Sequence, residues 1–308
     1  MILFRSLDNL PDEFRHGAVT IGNFDGVHRG HARLIEALLT EARAIGGPAV
    51  VFTLDPHPAS VLRPEETPPS LSWIERKAQL LGELGVDAVI AYPTDRALLE
   101  LDAQTFFDQI IINRLAARAM VEGPNFFFGH HRSGDLDVLA RLCREAGLVL
   151  KVARAMECDG QIVSSSRVRR LVAAGAVEQV NRMLTQPYRI RGLVVPGKGR
   201  GRRLGYPTAN VSQTNTLLPG EGIYAGRAWI DATPWPAAVS IGPNLTFDEN
   251  EPKVEAYLLG YEGTLYDRSI EVDFLARLRD IEQFDDAESL VAQMQRDVEA
   301  TQRIAAGN

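Results

Sequence analysis

Only two of the 308 residues are cysteine, Cys143 and Cys158, too few for a disulfide framework and too widely separated for a thiol redox motif. A reducing, cytoplasmic setting is the expectation. No run of about 18 apolar residues occurs, so no membrane-spanning helix is expected. The N-terminus also lacks the basic segment, apolar run and cleavage site of a secretory leader. Basic charge is scarce too: 33 Lys and Arg against 40 Asp and Glu leave a net charge of −7. That balance argues against a general affinity for nucleic acid or anionic membranes, and any polyanion site has to be local. Nothing in the composition fixes the oligomeric state, and a homo-oligomer is compatible with it. What remains, 45% hydrophobic and 24% charged residues, describes a globular chain long enough for two domains.

The densest chemistry lies in Gly22-Asn23-Phe24-Asp25-Gly26-Val27-His28-Arg29-Gly30-His31. The apolar run Ala18 to Ile21 precedes it, and Ala32 to Ala44 follows with apolar residues at helical spacing, which puts the motif on a strand-to-helix turn. Gly22, Gly26 and Gly30 allow a ligand to approach the backbone closely, and a helix start offers free N–H groups to an anion. His28 and His31, three apart, share one face of the first turn, where imidazoles can donate to phosphate oxygens. A metal is the competing use of such a pair. Neither a nearby Cys nor a third His is present to complete the ligand set. His16, His130 and His131 belong to no motif and read as surface or loop residues.

Short apolar runs then alternate with helical patterns from Ala49 to Val152, the mark of a parallel α/β sheet with its ligand at the carboxyl ends of the strands. Phe52 to Pro58 is expected to line that same edge. Five prolines between Pro56 and Pro69 predict a segment without regular structure. Ser164, Ser165 and Ser166 open a helix that carries Arg167 and Arg169, a natural phosphate clamp that could equally be a capped surface helix. After Gln186-Pro187 the pattern changes to short alternating strands separated by Gly and Pro, which predicts a small antiparallel barrel followed by a last helix from Ala287 to Ile304. The boundary is placed at about residue 186, giving domains 1–186 and 187–308.

The second domain opens with Gly197-Lys198-Gly199-Arg200-Gly201-Arg202-Arg203, glycines alternating with cations in a loop that could fold over phosphates or contact RNA. Pro207-Thr208-Ala209-Asn210 follows. Thr208 and Asn210 point the same way along an extended segment, and a hydroxyl with an amide oxygen suits Mg2+ carried in on a nucleotide. Along Val254 to Leu258 a strand places Glu255 and Tyr257 on one face. Read alone, Glu255 could be a solvent-facing carboxylate or a base for an attacking alcohol.

His28-Arg29-Gly30-His31 resembles the signature of the nucleotidyltransferase superfamily. Together with Gly123-Pro124-Asn125-Phe126-Phe127-Phe128-Gly129 and Ser164-Ser165-Ser166-Arg167-Val168-Arg169, it resembles the adenylyltransferase module of prokaryotic bifunctional riboflavin kinase/FAD synthetases. Pro124 stands where that family has an acidic or amide residue, and Val168 where it has Ile. Gly197 to Gly201, Pro207 to Asn210, Gly222 to Gly226, Ile241 to Phe247 and Val254-Glu255 closely resemble its riboflavin kinase module, with departures at Leu245, Ala256-Tyr257 and Gly260.

The resemblance implies a Rossmann-like parallel domain followed by a six-stranded antiparallel barrel with a C-terminal helix. It also implies that riboflavin is phosphorylated to FMN and FMN adenylylated to FAD, both from ATP with Mg2+. The implied roles are catalytic for His28, His31, Arg169 and Glu255. Nucleotide and phosphate binding falls to Gly22, Phe24, Asp25, Gly26, Ser164, Ser165, Ser166, Gly197, Lys198, Gly199 and Gly201, flavin binding to Asn125, Phe126 and Phe128, and metal binding to Thr208 and Asn210. Nucleic acid and membrane are not expected partners. The alternative is a nucleotidyltransferase for another phosphorylated acceptor, joined to a flavin- or RNA-binding barrel.

Overall fold

Strands β1 (Ile2–Phe4), β2 (Ala18–Ile21), β3 (Ala49–Asp55), β4 (Ala88–Pro93), β5 (Ala119–Glu122) and β6 (Val149–Val152) form a sheet in the order β1-β4-β3-β2-β5-β6, every neighbouring pair parallel. The computed structural model describes residues 1–244 and 249–307. Leu245, Thr246 and Phe247 therefore lie outside the described residues.

A parallel sheet needs cover on both faces, so its inner strands are apolar in runs rather than alternating, whereas the edge strand β6 is mostly exposed. Ala49 to Phe52 are all fully buried. Val51 turns toward α1 (Arg29–Ile45) and the later helix α3 (Ile74–Glu83), packing with Ile35, Leu38 and Leu81. Val50 and Phe52 turn the other way, toward Phe106, Ile111 and Leu139.

The proline-rich segment departs from expectation. Helix α2 (Pro58–Leu62) and a 3-10 turn, Pro64–Glu66, both form there, and each carries proline in its first helical position. A proline at that place loses no helical hydrogen bond. Residues Gln104 to Ala116, helical by apolar spacing, do not form one continuous α-helix. After α4 (Arg96–Leu99), helix α5 (Ala103–Phe106) passes into a π-helix, Phe107–Arg114, which puts Phe107, Ile110 and Ile111 into the same core. Helix α6 (Leu136–Ala146) completes the cover, and β7 (Glu157–Cys158) with β8 (Gln161–Ile162) forms a separate hairpin.

The second compact unit contains residues 165–308 together with Pro69–Ser72. Its strands β9 (Tyr188–Val195), β10 (Ala209–Ser212), β11 (Gly222–Ile230), β12 (Thr233–Asn244), β13 (Glu249–Leu258) and β14 (Ser269–Arg279) close into a barrel in the order β10-β13-β12-β11-β14-β9. Closure leaves no edge strand. Residues of β9 alternate buried and half-buried along its whole length, and Tyr188, Tyr224 and Phe274 fill the interior, the last two edge to face at 5.3 Å.

Helices α7 (Ser165–Ala173) and α8 (Val177–Met183) belong to this unit by contact. Val168, Val172, Val177 and Val180 are fully buried. Asn181 donates to the Phe274 carbonyl at 2.8 Å and accepts from the Tyr188 N–H at 2.9 Å, while Gly220 N–H donates to the Val172 carbonyl at 3.0 Å. The contacts thus divide at Ser164/Ser165, whereas the change in sequence pattern falls near residue 186. A short helix α9 (Arg200–Arg203) interrupts the glycine-rich loop, and α10 (Ala287–Ala306) ends the chain.

Candidate active sites

Between β2 and α1 the chain turns through Phe24, Gly26 and Val27, with φ of 46°, 78° and 38°. A β-branched residue rarely tolerates such a backbone, and this one is held by burial: Phe24 and Val27 are 2% and 0% exposed. His28 then caps α1, its Nδ1 accepting the His31 N–H at 3.2 Å. The two rings stack at 3.6 Å, 12° apart in plane, and Phe24 lies 5.0 Å from His31. A Cβ on Gly30 would sit 3.0 Å from His28 Nδ1, so glycine permits the ring to lie against the first turn. The Val163 carbonyl is 3.5 Å from that same point, which brings the Ser164 segment beside the histidines.

Burial lowers His28 to a pKa of about 4, only partly opposed by Asp25. His31 is lowered well below the usual imidazole range, by burial first and then by the neighbouring His28 and Lys77. Both rings are neutral at pH 7 and offer N–H donors rather than cations. His31 keeps part of its surface exposed while its Nδ1 is enclosed without a hydrogen-bond partner among the described residues. Asp25 and Lys77 are almost wholly buried. His57 Nε2 lies 3.0 Å from the Asn23 side-chain amide, so the segment after β3 does reach the same sheet edge.

After β5, Pro124 and Asn125 are exposed. Phe126 stacks on Phe128 at 5.4 Å, and Phe128, 8% exposed, packs on into the core against Phe106. Phe127 is the exposed aromatic of the three, with the Arg132 guanidinium 4.2 Å over its ring. Ser165, Ser166 and Arg169 head α7 within the barrel's unit, where Arg169 Nε donates to the Pro69 carbonyl at 2.7 Å.

The barrel carries a cavity of about 800 Å3, whose walls include Gly197, Lys198, Gly199, Gly201, Thr208, Asn210 and Glu255. Strand register explains the assembly. Glu255 is opposite Asn210 on β10 and opposite Ser240 on β12, so three strands present an amide, a carboxylate and a hydroxyl in one transverse row. A Cβ on Gly197 would fall 2.1 Å from Asn210 Nδ2, and one on Gly201 would fall 2.3 Å from the Tyr206 carbonyl and 3.4 Å from Thr208 Oγ1. Glycine at both positions lets the loop lie against Asn210 and Thr208. Helix α10 holds the loop from the other side, Tyr206 Oη donating to Gln295 Oε1 at 2.9 Å.

Among the described residues no group of three or more His, Cys, Asp or Glu could hold a metal. Thr208 and Asn210, neutral oxygen donors beside a phosphate-sized loop, fit a magnesium ion that arrives with a nucleotide. Sequence reasoning placed the Phe52 to Pro58 segment, and with it His57, at the edge of the parallel sheet, but missed Ser240 and Lys77. Ser240 could have been found only from strand register, and Lys77 only from which elements meet at that edge.

A doubly covered parallel sheet with paired imidazoles at a helix start, followed by a closed barrel with a carboxylate between an amide and a hydroxyl, is the make-up of a two-domain transferase of nucleotide phosphates. The FAD synthetase family matches residues 10–167 and the riboflavin kinase family residues 184–305. The bifunctional riboflavin kinase/FMN adenylyltransferase of Pseudomonas fluorescens is 36% identical over 99% of this chain and 98% of its own. That of Escherichia coli K12 is 33% identical over 96% of each. A solved structure described as a macrolide-efflux protein from Streptococcus pneumoniae superposes with a TM-score of 0.86 at 28% identity, covering 98% of both chains. No helix among the described residues here is long and apolar enough to cross a membrane. This chain belongs to the family of bifunctional riboflavin kinase/FMN adenylyltransferases.

Proposed function

We propose that the barrel transfers the γ-phosphoryl group of ATP to the terminal ribityl hydroxyl of riboflavin, giving FMN and ADP. The α/β domain then joins FMN to the adenylyl group of a second ATP, giving FAD and pyrophosphate. Residues 187–308 carry the first activity, and residues 1–186 hold the motifs of the second. The observation that supports the kinase half best is the row Asn210–Glu255–Ser240 in one cavity with the glycine-rich loop.

In that cavity Glu255 accepts the proton of the hydroxyl as its oxygen attacks the γ-phosphorus. Thr208 and Asn210 would hold Mg2+ carried by ATP, which supplies charge neutralisation at the phosphates. The backbone of Gly197, Gly199 and Gly201, with Lys198, encloses the nucleotide.

In the first domain the neutral N–H groups of His28 and His31 donate to phosphate oxygens as the FMN phosphate attacks the α-phosphorus and pyrophosphate leaves. Gly22, Phe24, Asp25 and Gly26 shape the nucleotide loop. Ser164, Ser165, Ser166 and Arg169 clamp phosphate, and Asn125, Phe126 and Phe128 form the flavin side. Neither step needs a covalent enzyme intermediate, and positioning carries most of the rate.

A reducing, cytoplasmic setting suits Cys143 and Cys158, both unbridged. Incubation of the purified protein with riboflavin, Mg2+ and ATP, with the flavins separated by chromatography, should yield FMN and then FAD. Absence of FMN would overturn the kinase assignment, and absence of FAD from supplied FMN the adenylyltransferase assignment.

A further inference from the structure

Strands β2 and β5 are neighbours, but only Ala18 and Val19 pair with Ala119 and Met120. Beyond them the strands part company. Glu122 keeps its backbone with β6, pairing with Val152 and accepting the Ala153 N–H at 2.8 Å. Its side chain reaches back across the gap, where a carboxylate oxygen accepts the Ile21 N–H at 2.8 Å. The residue is 1% exposed. One carboxyl thus spans the splay that the backbone ladder leaves open.

The location gives the bond its meaning. The chain runs outward from β2 through β3 to β4, then returns to β5 on the opposite side of β2, so the splay lies at the topological switch point, where doubly wound sheets bind ligand. Ile21 directly precedes Gly22, the root of the nucleotide loop that leads to His28 and His31. Glu122 directly precedes Gly123, the root of the segment that carries Asn125 and Phe126. A single hydrogen bond therefore ties together the roots of the nucleotide-side and flavin-side segments, 101 residues apart in sequence.

We infer that Glu122 is a positioning residue for adenylyl transfer, setting the separation between the loop that presents ATP and the segment that presents FMN. This inference rests on the adenylyltransferase reading of the first domain. Burial pushes the Glu122 carboxyl well above the usual carboxylate range, opposed by the Ile21 N–H that it accepts. What the splay requires of residue 122 is an acceptor oxygen at this reach, which the side-chain amide of glutamine supplies at the same length.

The test is made in the full chain. Wild-type protein given FMN and ATP must first produce FAD; if it does not, the adenylyltransferase reading fails whatever Glu122 does. Glu122→Gln should keep kcat for FAD formation within about threefold, because the amide oxygen still accepts from Ile21. Glu122→Ala should lower that kcat about a hundredfold, the scale of a 1 Å misplacement of reacting groups, with KM for ATP and riboflavin phosphorylation both within about threefold of wild type. Amide hydrogen exchange at Ile21 should accelerate in Glu122→Ala and stay slow in Glu122→Gln.

Should Glu122→Ala fail to fold, Glu122→Asp serves in its place. One methylene shorter, it should show the same fall in kcat with KM unchanged. Wild-type kcat in the shortened variant, unchanged Ile21 exchange, or a Glu122→Gln enzyme as impaired as the truncation would each overturn the assignment.

Discussion

Asn210 and Glu255 are register partners across β10 and β13, so backbone pairing sets the amide and the carboxylate of the barrel cavity side by side. Both strands send their alternate residues, Val211 and Val254 among them, into the buried interior. A slip of one residue would exchange the chemical face for the apolar one. The core and the site therefore enforce the same register.

Glu255→Gln keeps size and hydrogen bonding but removes the base. FMN formation should fall by about a hundredfold or more, while riboflavin and ATP still bind and FAD synthesis from supplied FMN is unchanged. Thr208→Ala should instead weaken the metal–nucleotide complex and recover in part at raised Mg2+, a rescue that the Glu255 variant should not show. Initial-rate assays over a Mg2+ series separate the two.

Gly197→Ala would drive a methyl group onto the Asn210 amide, with a Cβ 2.1 Å from Nδ2. Riboflavin phosphorylation should drop about as far as in Asn210→Ala, with adenylylation of FMN spared. Equal activity of Gly197→Ala and wild type would show that the loop does not need this close approach.

His31→Ala should slow FAD formation roughly a hundredfold, the loss expected for one transition-state donor, and leave the kinase at its wild-type rate. Loss of both activities together would point to misfolding.

Acid should weaken the first domain through the same histidines. His28 titrates at about 4 when folded, against 6.5 for the free side chain, so below pH 6.5 the unfolded chain takes up the proton first. Stability is then constant above about pH 6.5 and declines as pH falls toward 4. His28→Asn retains a capping side chain and should lose less stability between pH 7 and pH 5, as measured by urea unfolding.

A barrel fragment begun at Ser165 should be more stable than one begun at Pro187, because α7 and α8 bury their valines within that unit. Asn181→Ala in the full chain removes partners of the Phe274 carbonyl and the Tyr188 N–H and should cost about 1–3 kcal/mol. Equal melting of the two fragments would argue that the helices are dispensable.

Much of this architecture was legible in the residues. Strand and helix periods are local, so the parallel domain, the barrel and the last helix could be read from spacing, and so could the His28–His31 pair and the Thr208–Asn210 pair. The π-helix was not, since Ile110, Ile111 and Ile112 satisfy an α period as well as a wider one. Nor could Glu122 or Ser240 be found. Each matters through a partner across a ladder or a splay, and no local period records which distant residue that will be. Helices α7 and α8 showed the same limit in another form: their apolar stripes were visible, but not which unit they would cover.

The attachment of α8 to β14 also orders events in time. Asn181 and its acceptor Phe274 are 93 residues apart, and a ribosome adding about 5–20 residues per second delivers the acceptor several seconds after the donor. Until β14 emerges, α8 lacks that partner and the valine stripes of both helices lack a finished barrel to cover, so the nascent chain carries exposed apolar surface through that interval.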